Sequence, residues 1–400
     1  MVDKLTHSSR NSLLHGIRVL EISHAIAGPT TAQILADYGA EVIKIERPEE
    51  GDIFRFTPEM GASMFLAVNR GKKSVAIDLK KPKGLSLFFE FVKNCDVIVE
   101  NMGPGTAEGL GITYRKIKKL NPFAIYCKIE SFGKGAFQNV PAFDPVLQAA
   151  SGIMSTTGFP PNDYVRSGVS MVDMSAGLHA ATGVLALLNK RRETKTGGEV
   201  RVSLFDAASY YMSYWVARHD LYKKDTLPLG TAHLFGAPYN LFKTSDGYLY
   251  IAVANNKAWT SFCRSLGFDD LLKDKRFTTN SDRVKRKKKL EHFISTRIMK
   301  MSTSQLVKKL KDSGVPFGKL NTAKSLLKDR GLSGTGIIRE YSYSGKKFRT
   351  VVNPSIVNGS RQFAARSPSK LGADTKSVLK SLLHITDHDI MDLKKSQVIS

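Results

Sequence analysis

The segment SGVSMVDMSAGLHAATGVLALLNKRR (167–192) carries a single carboxylate, Asp173. Small and apolar residues follow it for several helical turns, and a basic cluster closes the run. An acid at that place can do either of two things. Asp accepts hydrogen bonds from the unpaired N–H groups of a first helical turn and so caps a helix. A carboxylate beside the positive end of a helix dipole can also be kept ionised as a nucleophile. Pattern alone favours the cap, and the two roles are compatible.

The remaining chemistry is sparse. Cys95, Cys127 and Cys263 are isolated, with no CxxC spacing. That argues against a disulfide framework and a zinc site, and fits a reducing compartment. No metal site is expected.

The elements around Asp173 read as alternating strands and helices. Strands are expected at 17–22, 41–46, 74–79, 96–101 and 123–133, with helical stretches such as TTAQILADYG and GLSLFFEFVKNC between them. This order implies βαβ units and an α/β fold with a mostly parallel, Rossmann-like sheet. A dinucleotide fingerprint is missing: SHAIAGPTT follows the first strand, and the glycines of GPGTAEGLG are wrongly spaced. GGEVRVSL adds a turn and strand after the Asp173 helix, and FDAASYYMSYWVARHDLY an aromatic-rich helix. A hairpin through Asp246-Gly247 and helices near 257–266, 280–299 and 303–314 suggest a smaller α+β domain. The expected division is a large domain over 1–223, a linker over 224–238, a small domain over 239–335 and a return segment over 336–400.

Charge is the abnormal feature. Among 400 residues, 60 Lys and Arg against 36 Asp and Glu leave +24. An excess of that size favours nucleic acid, anionic membranes or phosphorylated ligands. The basic residues are dispersed, and the run Arg283–Lys289 reads as the solvated face of a helix whose apolar side continues through Leu290, Phe293 and Ile294. No nucleic-acid motif accompanies it, so nucleic acid is not the expected partner. No run of 18 apolar residues is visible, so no membrane span is expected. The start MVDKLTHSSRNSLLHG lacks the apolar core of a signal sequence and reads as a disordered leader. A cytoplasmic location is expected, or the mitochondrial matrix in a eukaryote.

Several blocks then converge. GIRVLEISHAIAGPTTAQILADYGAEVIKIERPEEGD resembles the N-terminal signature of the family III CoA-transferases, the formyl-CoA and carnitine CoA-transferase type. FLAVNRGKKSVAIDLKKPKG, DVIVENMGPGTAEGLG, GAPYNLFKTSDGYLYIAVANN, SGVPFGKL and SKLGADTKSVLKSLLHIT are similar to its later blocks, in the same order. The resemblance implies that Asp173, in VSMVDMSAGLHAATGVLALL, is a covalent nucleophile that accepts acyl groups and CoA in turn. It implies an acyl-CoA donor and a small carboxylic acid acceptor, with no metal, ATP or tightly bound cofactor. Arg47 matches a position near the CoA nucleotide; Asn69, Lys72 and Lys73 in NRGKKS and Asn101 in ENMGPG fall in blocks that line the same pocket. Where some relatives carry a further basic residue, this chain has Gly109.

His24 and Ala27 lie in the loop that resembles the acyl entrance, with Met171, Phe143 and Phe235 as candidate walls. His24 or Arg166 could meet a second carboxylate of the acceptor. The same resemblance implies an interlocked homodimer. One alternative is an α-methylacyl-CoA racemase, but its motif places His before the acid of PAFDPVLQAASG, and Phe143 stands there and cannot carry a proton. The other is a binding protein without activity, which has no need of Asp173.

Overall fold

The computed structural model describes residues 12–332 and 334–400. The expected leader falls mainly on residues 1–11, outside the described residues; its last residues form a turn in which the Leu14 N–H donates to the Tyr38 carbonyl at 2.9 Å.

Six strands form the main sheet: β1 (Arg18–Ile22), β2 (Glu41–Glu46), β3 (Lys73–Ala76), β4 (Val97–Glu100), β5 (Ile125–Glu130) and β6 (Gly198–Ser203). Their order is β3-β2-β1-β4-β5-β6, and every pairing is parallel. The fold is therefore α/β with a parallel sheet. The strands read as apolar runs because helices cover both faces. Residues such as Val19, Leu20, Val42, Ile43, Val97 and Ile98 are fully enclosed. Strand order reverses between β1 and β4. In an open parallel sheet that reversal opens a crevice at the carboxyl ends of the two strands.

One face of the sheet carries α1 (Ala27–Asp37); the other carries α2 (Pro82–Lys93) with its buried Leu87, Phe88, Phe91 and Val92. The expected helical stretch TTAQILADYG starts at Thr30, but the helix begins at Ala27 and includes Pro29. First-turn N–H groups have no intrahelical partner, so proline is tolerated there. The α1 face also carries α3 (Asp144–Ala150), α4 (Met171–Thr194) and α5 (Leu204–Tyr211).

Among the described residues α4 is the one helix long and apolar enough to cross a bilayer, a property the sequence reading passed over because small residues interrupt it. Its Val172, Ala176, Ala180, Val184 and Leu188 recur every four residues and are buried in the core. Gly177 lies against α1: a Cβ there would meet the Ala27 carbonyl oxygen at 2.8 Å. The Thr31 hydroxyl donates to the Gly177 carbonyl at 3.2 Å.

The chain divides into two compact units: one of residues up to Met154, Arg166–Asp225 and Gly334–Ser400, the other of Ser155–Val165 and residues 226–332. The second unit holds a small antiparallel sheet of β7 (Tyr239–Lys243), β8 (Tyr248–Ala252) and β9 (Phe317–Lys319), with β8 central. The turn at Asp246-Gly247 joins β7 to β8.

The reading of Arg283–Lys289 as a solvated face needs correction. Arg283 is wholly buried, donating to the carbonyls of Ala237 (2.9 Å) and Phe277 (3.1 Å) and lying 5.1 Å over Trp259. Lys287 Nζ donates to the His233 carbonyl at 2.6 Å. The helix expected over 280–299 is two, Asn280–Lys285 and Lys287–Ile298, broken at Arg286.

Candidate active site

The crevice at the strand-order reversal is occupied by a cleft of about 140 Å³. The loop after β1 supplies His24 and Ala25, and α1 its first residue, Ala27; the loop after β4 supplies Asn101, Met102, Gly103 and Pro104; Ser131 follows β5. Ile129, Glu130, Pro141, Ala142, Phe143 and Leu204 complete the lining, and Asp173 faces into it from the first turn of α4.

Asp173 does not cap its helix. The N-cap residue is Ser170, without a side-chain cap bond. The first-turn amides are instead taken by Asp144, whose Oδ2 accepts the N–H of Val172 at 2.8 Å and of Asp173 at 3.2 Å. Asp144 is buried at the start of α3, and its Oδ1 accepts from Gln148 Nε2. Gln148 Oε1 in turn accepts the Ser167 N–H at 2.8 Å. The half-buried Asp173 carboxyl has no hydrogen-bond partner among the described residues. Burial, and then the charge of Asp144, push it up to about 7. The helix end was expected to hold Asp173 ionised; here that end is satisfied by another acid.

The loop after β1 is fixed residue by residue. Lys44 Nζ donates to the Ser23 carbonyl at 2.7 Å. The Asn101 side-chain amide clamps the His24 backbone, its Oδ1 accepting the His24 N–H and its Nδ2 donating to the His24 carbonyl, at 2.9 Å each. The Ala25 N–H donates to Asp52 Oδ1 at 3.3 Å, and Ala25 is held at φ 62°, a left-handed conformation that costs roughly 1–3 kcal/mol in a residue with a Cβ. Beneath the loop, Lys44 lies 2.8 Å from Glu21 and 3.0 Å from Asp52, and Lys72 lies 2.8 Å from Glu21, with all four side chains buried. Burial alone would raise Glu21, but Lys44 and Lys72 hold it down at about 2. Lys44, with two carboxylates, is raised; Lys72 is pushed down to about 8, by burial and the neighbouring ammonium of Lys44 against the pull of Glu21. His24 is lowered by burial and by Lys44, against the pull of Asp52.

A second cavity of about 210 Å³ lies over the carboxyl ends of β1, β2 and β3 and shares His24 and Met102 with the Asp173 cleft. Ile22, Ile45, Ile77, Leu79 and Leu110 give it an apolar lining, and Arg47 and Lys80 supply positive charge. Arg47 is half exposed and pairs with Glu50 at 2.6 Å.

The structure thus brings together His24, Ala27, Arg47, Asn101 and Asp173. It does not bring the NRGKKS residues to these cavities. Asn69 is buried, donating to the Phe65 carbonyl and accepting from Lys72, and Lys72 is enclosed in the ion network. Lys73 opens β3 at the amino edge of the sheet, paired with Glu41 at 2.6 Å, whereas both cavities lie at the carboxyl edge. Of the candidate walls, Phe143 lines the cleft, Met171 packs on the core and Phe235 belongs to the second unit. Arg166 is exposed, donating to the Ser167 carbonyl. Sequence reading missed Lys80, in a plain surface turn, and Asp144, whose contact with α4 spans 28 residues.

Comparison with known proteins agrees with this architecture. Residues 14–375 match CoA-transferase family III. The human succinyl-CoA:glutarate CoA-transferase is 33% identical over 392 residues, spanning 96% of this chain and 90% of that protein. The formyl-CoA:oxalate CoA-transferase of Bradyrhizobium diazoefficiens is 29% identical over 97% of both chains. A CAIB/BAIF family protein from Brucella suis superposes with a TM-score of 0.85 at 30% identity, over 93% of this chain and all of that one. A parallel sheet, an acid in its switch-point crevice and similarity along nearly the full length lead to one assignment: the chain belongs to CoA-transferase family III and is an enzyme acting on acyl-CoA and carboxylate substrates.

Proposed function

We propose that the protein moves CoA from an acyl-CoA donor to a small carboxylic acid through covalent intermediates on Asp173, with short dicarboxylates as the favoured acceptors. The observation that carries this reading is the state of Asp173: an unbonded, basic carboxylate facing a small cleft in a family III chain. The acceptor class follows the relatives named for succinyl-CoA and glutarate.

The chemistry balances without any further reactant. An Asp173 oxygen attacks the thioester carbonyl, the C–S bond breaks, and CoA leaves as thiolate with the bonding electrons. A mixed anhydride remains on Asp173. The thiolate then attacks the aspartyl carbonyl carbon and expels the donor as its carboxylate, leaving CoA in thioester linkage to the enzyme. The acceptor carboxylate repeats the first step on that thioester. The released thiolate finally attacks the acceptor acyl carbon, which frees Asp173 as carboxylate. Ala27, Ala142, Phe143 and Leu204 present apolar surface where water would otherwise hydrolyse the anhydride. A panel of succinyl-CoA, glutaryl-CoA and formyl-CoA against succinate, glutarate and oxalate, read by mass spectrometry of the thioesters, tests the assignment. Exchange between two acids is expected; hydrolysis alone, or racemisation without exchange, contradicts it.

In this reading the apolar cavity beside Arg47 and Lys80 takes the nucleotide of CoA. Arg47→Ala is expected to raise KM for the acyl-CoA about tenfold, the loss of one charge-assisted hydrogen bond. Neutralising Lys288 and Lys289, exposed in the second unit, should change KM less than about threefold because exposed charges that do not contact the ligand are screened. The opposite ranking would place the CoA site elsewhere.

The active form in this reading is an interlocked homodimer. Aromatic and apolar side chains stand exposed on α4 (Leu178), on α5 (Tyr210) and on the helix Ser213–Tyr222 that follows it (Tyr214, Val216, Leu221 and Tyr222). Apolar side chains exposed in this number on neighbouring stretches of chain suit an interface, and a second copy of the chain is the proposed occupant. Linked chains separate only by unfolding, so subunit exchange follows the unfolding rate. Two differently tagged pools should fail to mix over days under native conditions, and size should hold at nanomolar concentration. Prompt mixing, or monomers on dilution, contradicts the linkage.

A further inference from the structure

An acid in the first turn of a helix ordinarily finds its partners in that helix's own free amides. Asp173 is denied them. Asp144 reaches from α3 and takes the N–H of Val172 and of Asp173 itself. Its second oxygen is held by Gln148, which also receives the Ser167 N–H, so the segment entering α4 and its first turn are bound to one buried carboxylate–amide unit. Two things follow. The backbone of the nucleophile is fixed by a group outside its own helix, and the positive helix end is matched by an anion that is not the nucleophile.

We propose that Asp144 is a positioning residue for the transfer reaction: it aims Asp173 into the cleft and keeps the α4 amides from quenching it. This rests on the reading of Asp173 as the nucleophile. A carboxylate without donors is more basic and more nucleophilic than one solvated by amides. Like-charge repulsion between ionised Asp173 and Asp144 also disappears once Asp173 becomes a neutral anhydride or thioester, which favours the covalent states.

Other ionisable groups stand in the cleft and on the elements packed against α4. In the cleft these are His24 and Glu130, the latter bound to Arg201 at 2.8 Å on β6. Lys128 on β5 is paired with Glu108; Asp37 on α1 lies 3.6 Å from Arg70; β6 also carries Glu199, and α5 carries Asp206. Asp144 is the charged group bonded to the Asp173 amide.

The test uses Asp144→Asn and the double variant Asp144→Asn, Gln148→Glu. In the first, the Asn oxygen can still accept from the α4 amides while the charge is gone. The second restores an acceptor for the Asn amide and for Ser167, and moves the charge one turn along α3. Single-turnover formation of the enzyme–CoA adduct is followed from pH 5 to 9 on the full-length protein. Wild type should rise to a plateau through an apparent pKa near 7. Asp144→Asn should shift that limb down by about one pH unit, lower the plateau about tenfold and reduce the adduct fraction at equilibrium. Where the single variant unfolds, the double variant decides, and its limb should also lie below that of wild type. An unshifted limb in a folded variant overturns the proposal. If wild type itself forms no adduct on Asp173, the failure lies in the nucleophile assignment, a separate result.

Discussion

Asp173→Asn is expected to fold, to lose CoA transfer by at least about a thousandfold, and to be more stable than wild type at pH 8. The loss follows from removing a covalent route whose chemistry no other group in the cleft replaces. The stabilisation follows from linkage. The folded protein holds Asp173 at about 7, above its ordinary value near 4. A group raised in this way favours the folded state fully below about pH 4, and that favour is lost as pH rises through 7. At pH 8 wild type therefore bears the cost of an ionised, poorly solvated carboxylate, while the neutral amide does not. Discounted for partial exposure, the gain is about 1–2 kcal/mol. It should vanish at pH 4. Thermal unfolding of both proteins at the two pH values checks it; a structural acid gives the reverse, losing stability on substitution.

Lys44→Ala is expected to cost about 3–5 kcal/mol, the usual result of leaving a buried carboxylate without its cation. Lys44 contacts Glu21, Asp52 and the Ser23 carbonyl at once. Lys72 still serves Glu21, but Asp52 loses its ammonium partner, and Asp52 is what holds the strained Ala25 amide. Activity at permissive temperature should fall along with stability, because the loop walls the Asp173 cleft. Denaturant unfolding monitored by fluorescence gives the number. A cost below about 1 kcal/mol would mean that the network adds little to the fold.

The parts of the fold that were legible are those written in local pattern. The runs IRVLEI, EVIKIE and DVIVEN are enclosed strands because apolar residues point to both faces of the sheet, and the helical stretches between them force parallel order. The hairpin at Asp246-Gly247 is a local turn and was legible for the same reason. What escaped depends on contacts distant in sequence. Nothing in NRGKKS says that Lys72 turns inward to Glu21, 51 positions away, or that Lys73 meets Glu41 at the amino edge of the sheet. The acid before the apolar helix reads as its own cap, because a cap supplied from α3 leaves no trace in the helix it serves. Arg283 sits in a basic run yet points into carbonyl oxygens and an indole face, a choice made by tertiary packing.

The central claim is that Asp173 carries the transferred groups as covalent intermediates. The direct measurement is the intact mass of the protein after brief incubation with succinyl-CoA, followed by peptide mapping with and without hydroxylamine. The account predicts an adduct of CoA mass on the peptide containing Asp173, converted by hydroxylamine to the aspartyl hydroxamate. It also predicts none on Asp173→Asn. Steady transfer of CoA between acids with unmodified Asp173 at every time point, or an adduct on another residue, would contradict it.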